Sequence, residues 1–176
     1  MIRLLEARAR AKVLSLEAML EARRQLKAAG KRLVFTNGCF DLLHVGHLSL
    51  LAFARGQGDA LVVGLNSDAS VRRAKGPERP ITPEAERALV LSALEAVDFV
   101  VVFDADEPLA LIEALLPDVL VKGEDWAHYV CGREAVERAG GRVVLAPMAA
   151  GRSTSAIVAR IRASAGACPS TTRSGS

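Results

Sequence analysis

His44 and His47 stand three residues apart in the run Asn37-Gly38-Cys39-Phe40-Asp41-Leu42-Leu43-His44-Val45-Gly46-His47. On the first turn of a helix that spacing puts both imidazoles on one face. Imidazoles can donate hydrogen bonds to phosphate oxygens, and Gly46 between them keeps the backbone bare for a ligand to approach. A helix N-terminus adds amides without intrahelical partners and the positive end of the helix dipole. Together these groups make a receptor for a polyphosphate. A lone His at a helix start is most often a cap, and Asn-Gly most often a turn. The combination is more specific, because the chain has 3 His and two of them are here; the third is His128.

Other residues could serve the same chemistry. Gly151-Arg152-Ser153-Thr154-Ser155 opens the last helical pattern. Ser or Thr there is usually a cap, but an Arg before three hydroxyls can also hold a second phosphate. Lys75 lies in the Pro-rich stretch Ala74–Pro80, a loop that can close over a triphosphate, although most loop lysines are merely solvated. Lys122 ends an apolar strand, an unusual place for a charge, and Asp125-Trp126 follow it; Trp126 can stack on a base or pack as a lid. Arg87 falls inside a helix, where an arginine is ordinarily a surface residue. Cys39 has no general base beside it and reads as structural. The chain has neither a GK[ST] phosphate loop nor a GxGxxG turn.

Positioning these residues requires strands that end at a common rim. Leu33-Val34-Phe35 reads as a buried strand, expected over Arg32–Thr36 and broken by Asn37-Gly38. A helix is expected over Val45–Arg55, then a strand over Asp59–Asn66 and a short helix over Ser67–Arg73. Further helices are expected from Pro83 to Ala96, Glu107–Leu116, Arg133–Ala139 and Ser153–Ala163. Asp98–Phe103, Val119–Lys122 and Arg142–Ala146 read as the remaining strands, with an irregular segment over Gly123–Gly132. Upstream, residues 1–14 can be helical. Ser15 caps a helix from Leu16 to Ala29 that Gly30 ends, with Leu16, Met19, Leu20 and Leu26 as its apolar face. Apolar strands alternating with helices imply an α/β fold: one Rossmann-like, doubly wound, parallel five-stranded sheet with helices on both faces. Such sheets bind ligands at the carboxyl ends of their strands, at a topological switch point. Asn37–His47, Asn66-Ser67, Lys122–Trp126 and Pro147–Thr154 all follow strands and should gather there.

Composition narrows the class. The 176 residues are 51% hydrophobic, enough for one domain with a real core. A net charge of +3 suits anionic small molecules and is too weak to argue for nucleic acid. The 3 Cys form no CxxC pair or zinc-type spacing, which suits reduced thiols in a cytoplasm. No apolar run reaches membrane-span length, and the charged N-terminus lacks a signal-peptide core. The expectation is a cytoplasmic protein with no membrane partner.

Thr36–His47, centred on His44-Val45-Gly46-His47, resembles the signature of the HxGH nucleotidyltransferases. The likeness runs from about Val13 to Ile161. Asn66–Val71, Lys75-Gly76, Arg79-Pro80, Leu94–Asp98, Leu120–Gly123 and Gly151–Thr154 resemble its D-glycero-β-D-manno-heptose 1-phosphate adenylyltransferase branch, which serves the lipopolysaccharide core. Many members carry a fused sugar kinase, and the resemblance here is to the stand-alone form. It implies an N-terminal helical segment over 1–30, a nucleotidyltransferase domain over 31–163 and a flexible tail over 164–176. It further implies that ATP and heptose 1-phosphate give ADP-heptose and pyrophosphate, with Mg²⁺ carried by the ATP, no metal held by the protein alone, and a homodimeric assembly.

By the same resemblance His44, His47 and Lys75 are catalytic. Asn37, Gly38, Cys39, Phe40, Gly46, Arg87, Lys122, Gly123, Asp125, Arg152, Ser153 and Thr154 bind nucleotide, while Asp41 and Asn66 face the acceptor; Asn37 can also face the sugar phosphate. Glu124-Asp125-Trp126 departs from this branch towards glycerol-3-phosphate cytidylyltransferases, and Ser155 stands where Thr is common. A cytidylyltransferase acting on a polyol phosphate and a non-catalytic nucleotide-binding module are therefore the competing readings. A class I aminoacyl-tRNA synthetase is not, since no KMSKS-like segment is present.

Overall fold

The computed structural model describes residues 2–147 and 154–165. Its order is α1 (Ile2–Arg10), α2 (Leu16–Ala28), β1 (Leu33–Gly38), α3 (Val45–Arg55), β2 (Ala60–Asn66), α4 (Asp68–Lys75) and α5 (Glu84–Ser92). There follow β3 (Phe99–Phe103), α6 (Leu109–Leu115), β4 (Val119–Gly123), a single 3₁₀ turn (Glu124–Trp126), α7 (Arg133–Arg138), β5 (Arg142–Ala146) and α8 (Thr154–Ala165). The strands form one five-stranded sheet in the order β3-β2-β1-β4-β5, and all of its pairings are parallel. The order reverses between β1 and β4, so the crevice beyond their carboxyl ends is the switch point.

Alternation of side chains across the strands explains the two helical layers. Leu33, Phe35, Ala60, Val62, Val101 and Leu120 face one core, which α2, α6 and α7 cover through Met19, Leu111, Ile112, Leu115 and Val136. Val34, Leu61, Val63, Leu65, Val100, Val119 and Val121 face the other, covered by Leu51 and Ala54 of α3 and Ala88 and Leu91 of α5. Fully burying a side chain of this size stabilises the fold by roughly 1.5–3 kcal/mol. Gly64 is required in β2, because a Cβ there would come within 2.8 Å of Phe35 Cζ.

Several boundaries differ from the sequence reading. Asn37 and Gly38 do not break β1; they stay in register with Gly64 and Leu65 of β2. Helix α4 runs on to Lys75, so Lys75 ends a helix rather than sitting within the loop, and Gly76 (φ +93°) turns the chain out of it. Pro83 is the cap of α5, not its first helical residue, and α5 stops at Ser92. Lys12 Nζ donates to the Val97 carbonyl (2.7 Å) and the Leu94 carbonyl (3.4 Å) just beyond it. Leu16 is exposed, so the buried face of α2 centres on Met19 and includes Arg23. Ser164 and Ala165 belong to α8, not to the tail. Residues 166–176 lie outside the described residues.

The N-terminal segment is part of the sheet layer. Val13 bridges Val100 in parallel, next to β3. Arg23 donates to Asp118 (2.8 Å) and to the Leu116 carbonyl (2.8 Å), which fixes α2 to the turn before β4. Asp118 also accepts from the Leu33 amide at 2.7 Å. These contacts hold the Asp118 carboxyl below its ordinary value against the opposing effect of burial, so the pair stabilises the ionised form.

Candidate active site

His44 caps α3. Its Nδ1 accepts a hydrogen bond from the Gly46 amide at 3.1 Å. An imidazole that accepts at Nδ1 carries its proton on Nε2, so the cap fixes the tautomer that donates from Nε2. The His47 amide is also occupied, donating to the His44 carbonyl at 2.9 Å. The amide receptor expected from the sequence is therefore partly closed by the cap itself, and donation to an anion passes to the rings. Those rings stack with centroids 3.9 Å apart and planes at 24°. Phe40 backs His47 at 5.0 Å. The left-handed backbone of Phe40 (φ 43°) turns its ring into the core, so only its backbone can face a ligand.

The His47 pKa is pushed down to about 4, first by burial and then by its electrostatic interaction with His44 and Lys75, which disfavours a second positive charge there. His47 is therefore neutral near pH 7 and acts as a hydrogen-bond donor rather than as a cation. Its Nδ1 is buried without a hydrogen-bond partner among the described residues. The depressed value also makes folding pH-dependent. In the unfolded chain a His titrates near 6.5, so between about pH 6.5 and 4 the unfolded state binds the extra proton. The stability that neutral His47 contributes is complete above about pH 6.5, falls as the pH drops towards 4 and falls no further below that. Urea midpoints between pH 7 and 4.5 should decline less steeply in His47→Gln than in the parent. Equal slopes would show that His47 is not the group responsible.

Behind the imidazoles lies a network of buried charges. Arg87 is only 2% exposed. Its guanidinium donates to the carbonyls of Thr82 (2.9 Å), Cys39 (2.6 Å) and Asn66 (3.0 Å) and to the Asp68 carboxylate (2.7 Å). Its donors tie together the ends of β1 and β2, the start of α4 and the approach to α5, so what the structure shows of Arg87 is a buried positioning network behind the imidazoles. Asp41 is 4% exposed. It accepts from the amides of Ile81 (2.8 Å) and Thr82 (3.0 Å) and from Arg79 Nε (2.6 Å). Both of its carboxylate oxygens are thus engaged within the protein, one by the two amides and the other by Arg79. Asn66 is likewise turned inward, donating to Ser70 Oγ at 2.9 Å.

Across the switch point, Lys122 is nearly buried at the end of β4, with Gly123 buried beside it. Burial holds the Lys122 ammonium below its ordinary value, while the charges of Cys131, Asp125, Cys39 and Glu107 act in the opposite direction. Its Nζ lies 5.2 Å from the Trp126 ring centroid, and Trp126 is half exposed on the rim next to exposed Asp125.

The rim therefore gathers His44, His47, Gly46, Asn37, Gly38, Cys39, Lys122, Gly123 and Asp125 around the crevice between β1 and β4. Asn37 Oδ1 is buried there without a partner among the described residues. Thr154 opens α8 and donates to the Leu42 carbonyl at 3.2 Å, which holds the helix to the histidine loop. Arg152 and Ser153 lie outside the described residues. The contact of Arg79 with Asp41 had no sequence signal, because the two residues are 38 positions apart.

The cytidylyltransferase-like family model matches residues 35–160. The bifunctional protein HldE of Geotalea uraniireducens is 60% identical over 153 residues, covering 86% of this chain and 31% of that protein. HldE of Mesorhizobium japonicum is 59% identical over 138 residues, covering 78% of this chain and 28% of that protein. The chain thus spans about a third of the length of these relatives. Among solved structures, a lipopolysaccharide core biosynthesis protein from Thermoplasma volcanium superposes with a TM-score of 0.55 at 27% identity, covering 68% of this chain and 98% of that one. The pantoate-beta-alanine ligase of Francisella tularensis gives 0.58 at 15% identity over 81% of this chain and 68% of its own, a likeness of fold alone.

Proposed function

Because this chain belongs to the cytidylyltransferase-like family and is a nucleotidyltransferase, we propose that it transfers AMP from ATP to D-glycero-β-D-manno-heptose 1-phosphate. The products are ADP-heptose and pyrophosphate. The observation that carries this reading is the stacked His44–His47 pair at the N-terminus of α3, beside the sheet's switch point. Likeness to the heptose branch at Asn66–Val71 and Gly151–Thr154 supports the acceptor, as does the similarity to a lipopolysaccharide core biosynthesis protein.

The chemistry needs no protein nucleophile. The attacking oxygen belongs to a sugar phosphate that is already ionised. The site must align it with the α-phosphorus and stabilise charge on the transferring group and the departing pyrophosphate. His44 donates from Nε2, His47 donates as a neutral ring, and Lys75 supplies a positive charge from the end of α4. Among the described residues no three His, Cys, Asp or Glu side chains come together to hold a metal. Mg²⁺ carried on the triphosphate would neutralise phosphate charge there. No helix among the described residues is long and apolar enough to cross a membrane.

Lys75 is exposed and makes no hydrogen bond or ion pair among the described residues. Lys75→Ala should lower kcat/KM about 10- to 100-fold, the worth of one charge-assisted contact. Stability should stay within about 0.5 kcal/mol, as for an ordinary surface substitution. Intact activity with a large fall in Tm would make Lys75 structural.

Glu124-Asp125-Trp126, with Lys122 beneath the indole, favours the second reading, a cytidylyltransferase. The kcat/KM ratio of ATP over CTP, with heptose 1-phosphate as acceptor, separates the two. A site that hydrogen-bonds one base rejects another when its buried polar groups are left unpaired, so the ratio should be about 10² or more. A ratio below one would replace the adenylyl assignment with the cytidylyl one.

A further inference from the structure

Between the loop after α4 and the outer face of α8 lies a cleft of about 670 Å³, lined by Lys75, Glu78, Arg79, Ile81, Ser155 and Arg162 among others. Three of these residues are cations. Glu78 is already matched to Arg162 at 2.7 Å. Arg79 is held differently: its Nε donates to buried Asp41 at 2.6 Å, and its Nη groups make no hydrogen bond among the described residues. The Asp41 carboxylate cannot swing away, because its other oxygen is fixed by the amides of Ile81 and Thr82. The guanidinium is therefore clamped at one nitrogen and keeps unused donors, and Arg79 lines the cleft together with exposed Lys75. The same cleft is within electrostatic reach of the imidazole pair, since the Lys75 charge acts on His47.

We propose that Arg79 is an anion-binding residue that takes a substrate phosphate group in this cleft, with Asp41 acting through it as a positioning residue. A planar fork with a pre-set orientation is the arrangement that recognises phosphate oxygens in pairs. Holding it in advance lowers the ordering cost of binding. This assignment rests on the transferase reading only for the identity of the phosphate, which belongs either to the sugar phosphate or to the triphosphate of the nucleotide.

The test is steady-state kinetics of Arg79→Lys, Arg79→Gln and Asp41→Asn with each substrate varied, alongside calorimetric binding of inorganic pyrophosphate and of inorganic phosphate. Arg79→Gln should raise one KM about 10- to 100-fold and leave the other nearly unchanged. A rise for the sugar phosphate identifies the acceptor as the source; a rise for ATP, with weaker pyrophosphate binding, identifies the triphosphate. Asp41→Asn should reproduce that KM change and add little to it in the Arg79→Gln background. Arg79→Lys retains the ion pair with Asp41 but loses the fork, so it keeps the fold and still weakens binding. If both KM values and both anion affinities stay at parental levels while only Tm falls, Arg79 and Asp41 form a structural ion pair and the proposal is overturned. If the enzyme does not turn over these substrates, the pyrophosphate and phosphate affinities of Arg79→Lys still decide the point.

Discussion

Replacing His47 with alanine should lower kcat by about 10²–10³-fold, the scale of removing one donor that meets developing negative charge. The reason lies in its protonation state. A neutral ring with its pKa near 4 contributes little long-range attraction to an incoming polyanion, so affinity for the nucleotide should change less than turnover. As charge builds on the transferring phosphoryl group, the hydrogen bond strengthens, and that difference is what kcat reports. His44→Ala should match the loss in kcat and add a cost in stability of about 1 kcal/mol, because its Nδ1 also caps α3. His44→Asn retains a cap acceptor and separates the two effects: stability returns, turnover does not. Near-parental kcat in either alanine variant would remove that histidine from the mechanism.

Arg87→Ala should be the most destabilising single change. Truncation leaves the carbonyls of Cys39, Asn66 and Thr82 without their donor and Asp68 without its counter-ion. Breaking a buried ion pair on one side typically costs about 3–5 kcal/mol. Arg87→Lys should recover only part of this, since one ammonium cannot span four acceptors set around a planar fork. Activity should fall with stability, because the carbonyls that lose their donor fix the histidine loop against β2. The measurement is the urea midpoint and slope, paired with turnover of the fraction that remains folded. A parental midpoint in Arg87→Ala would mean that the network contributes nothing to folding.

The sheet was legible because its strands are apolar on both faces and each helix between them buries one side. The histidine pair was legible because its spacing, its glycine and its place after a strand all agree. Arg87 was not. Three of its acceptors are backbone carbonyls from separate segments, and a carbonyl leaves no trace in residue identity. The contact between Asp41 and Arg79 escaped for a similar reason: a carboxylate in a polar loop looks open until the fold brings an arginine and two amides onto it. The early stop of α5 was hidden by Leu91 and Leu94, which keep helical spacing past Ser92, while the ammonium of Lys12, far off in sequence, takes the carbonyls beyond.

The most direct measurement is ³¹P NMR of the products formed from ATP, Mg²⁺ and D-glycero-β-D-manno-heptose 1-phosphate. The account predicts equal growth of pyrophosphate and nucleoside diphosphate-sugar resonances, both dependent on the sugar phosphate and both reduced about 10²–10³-fold in rate by His47→Ala. Pyrophosphate that forms equally fast without the sugar phosphate, or product formed at the parental rate by His47→Ala, would contradict it.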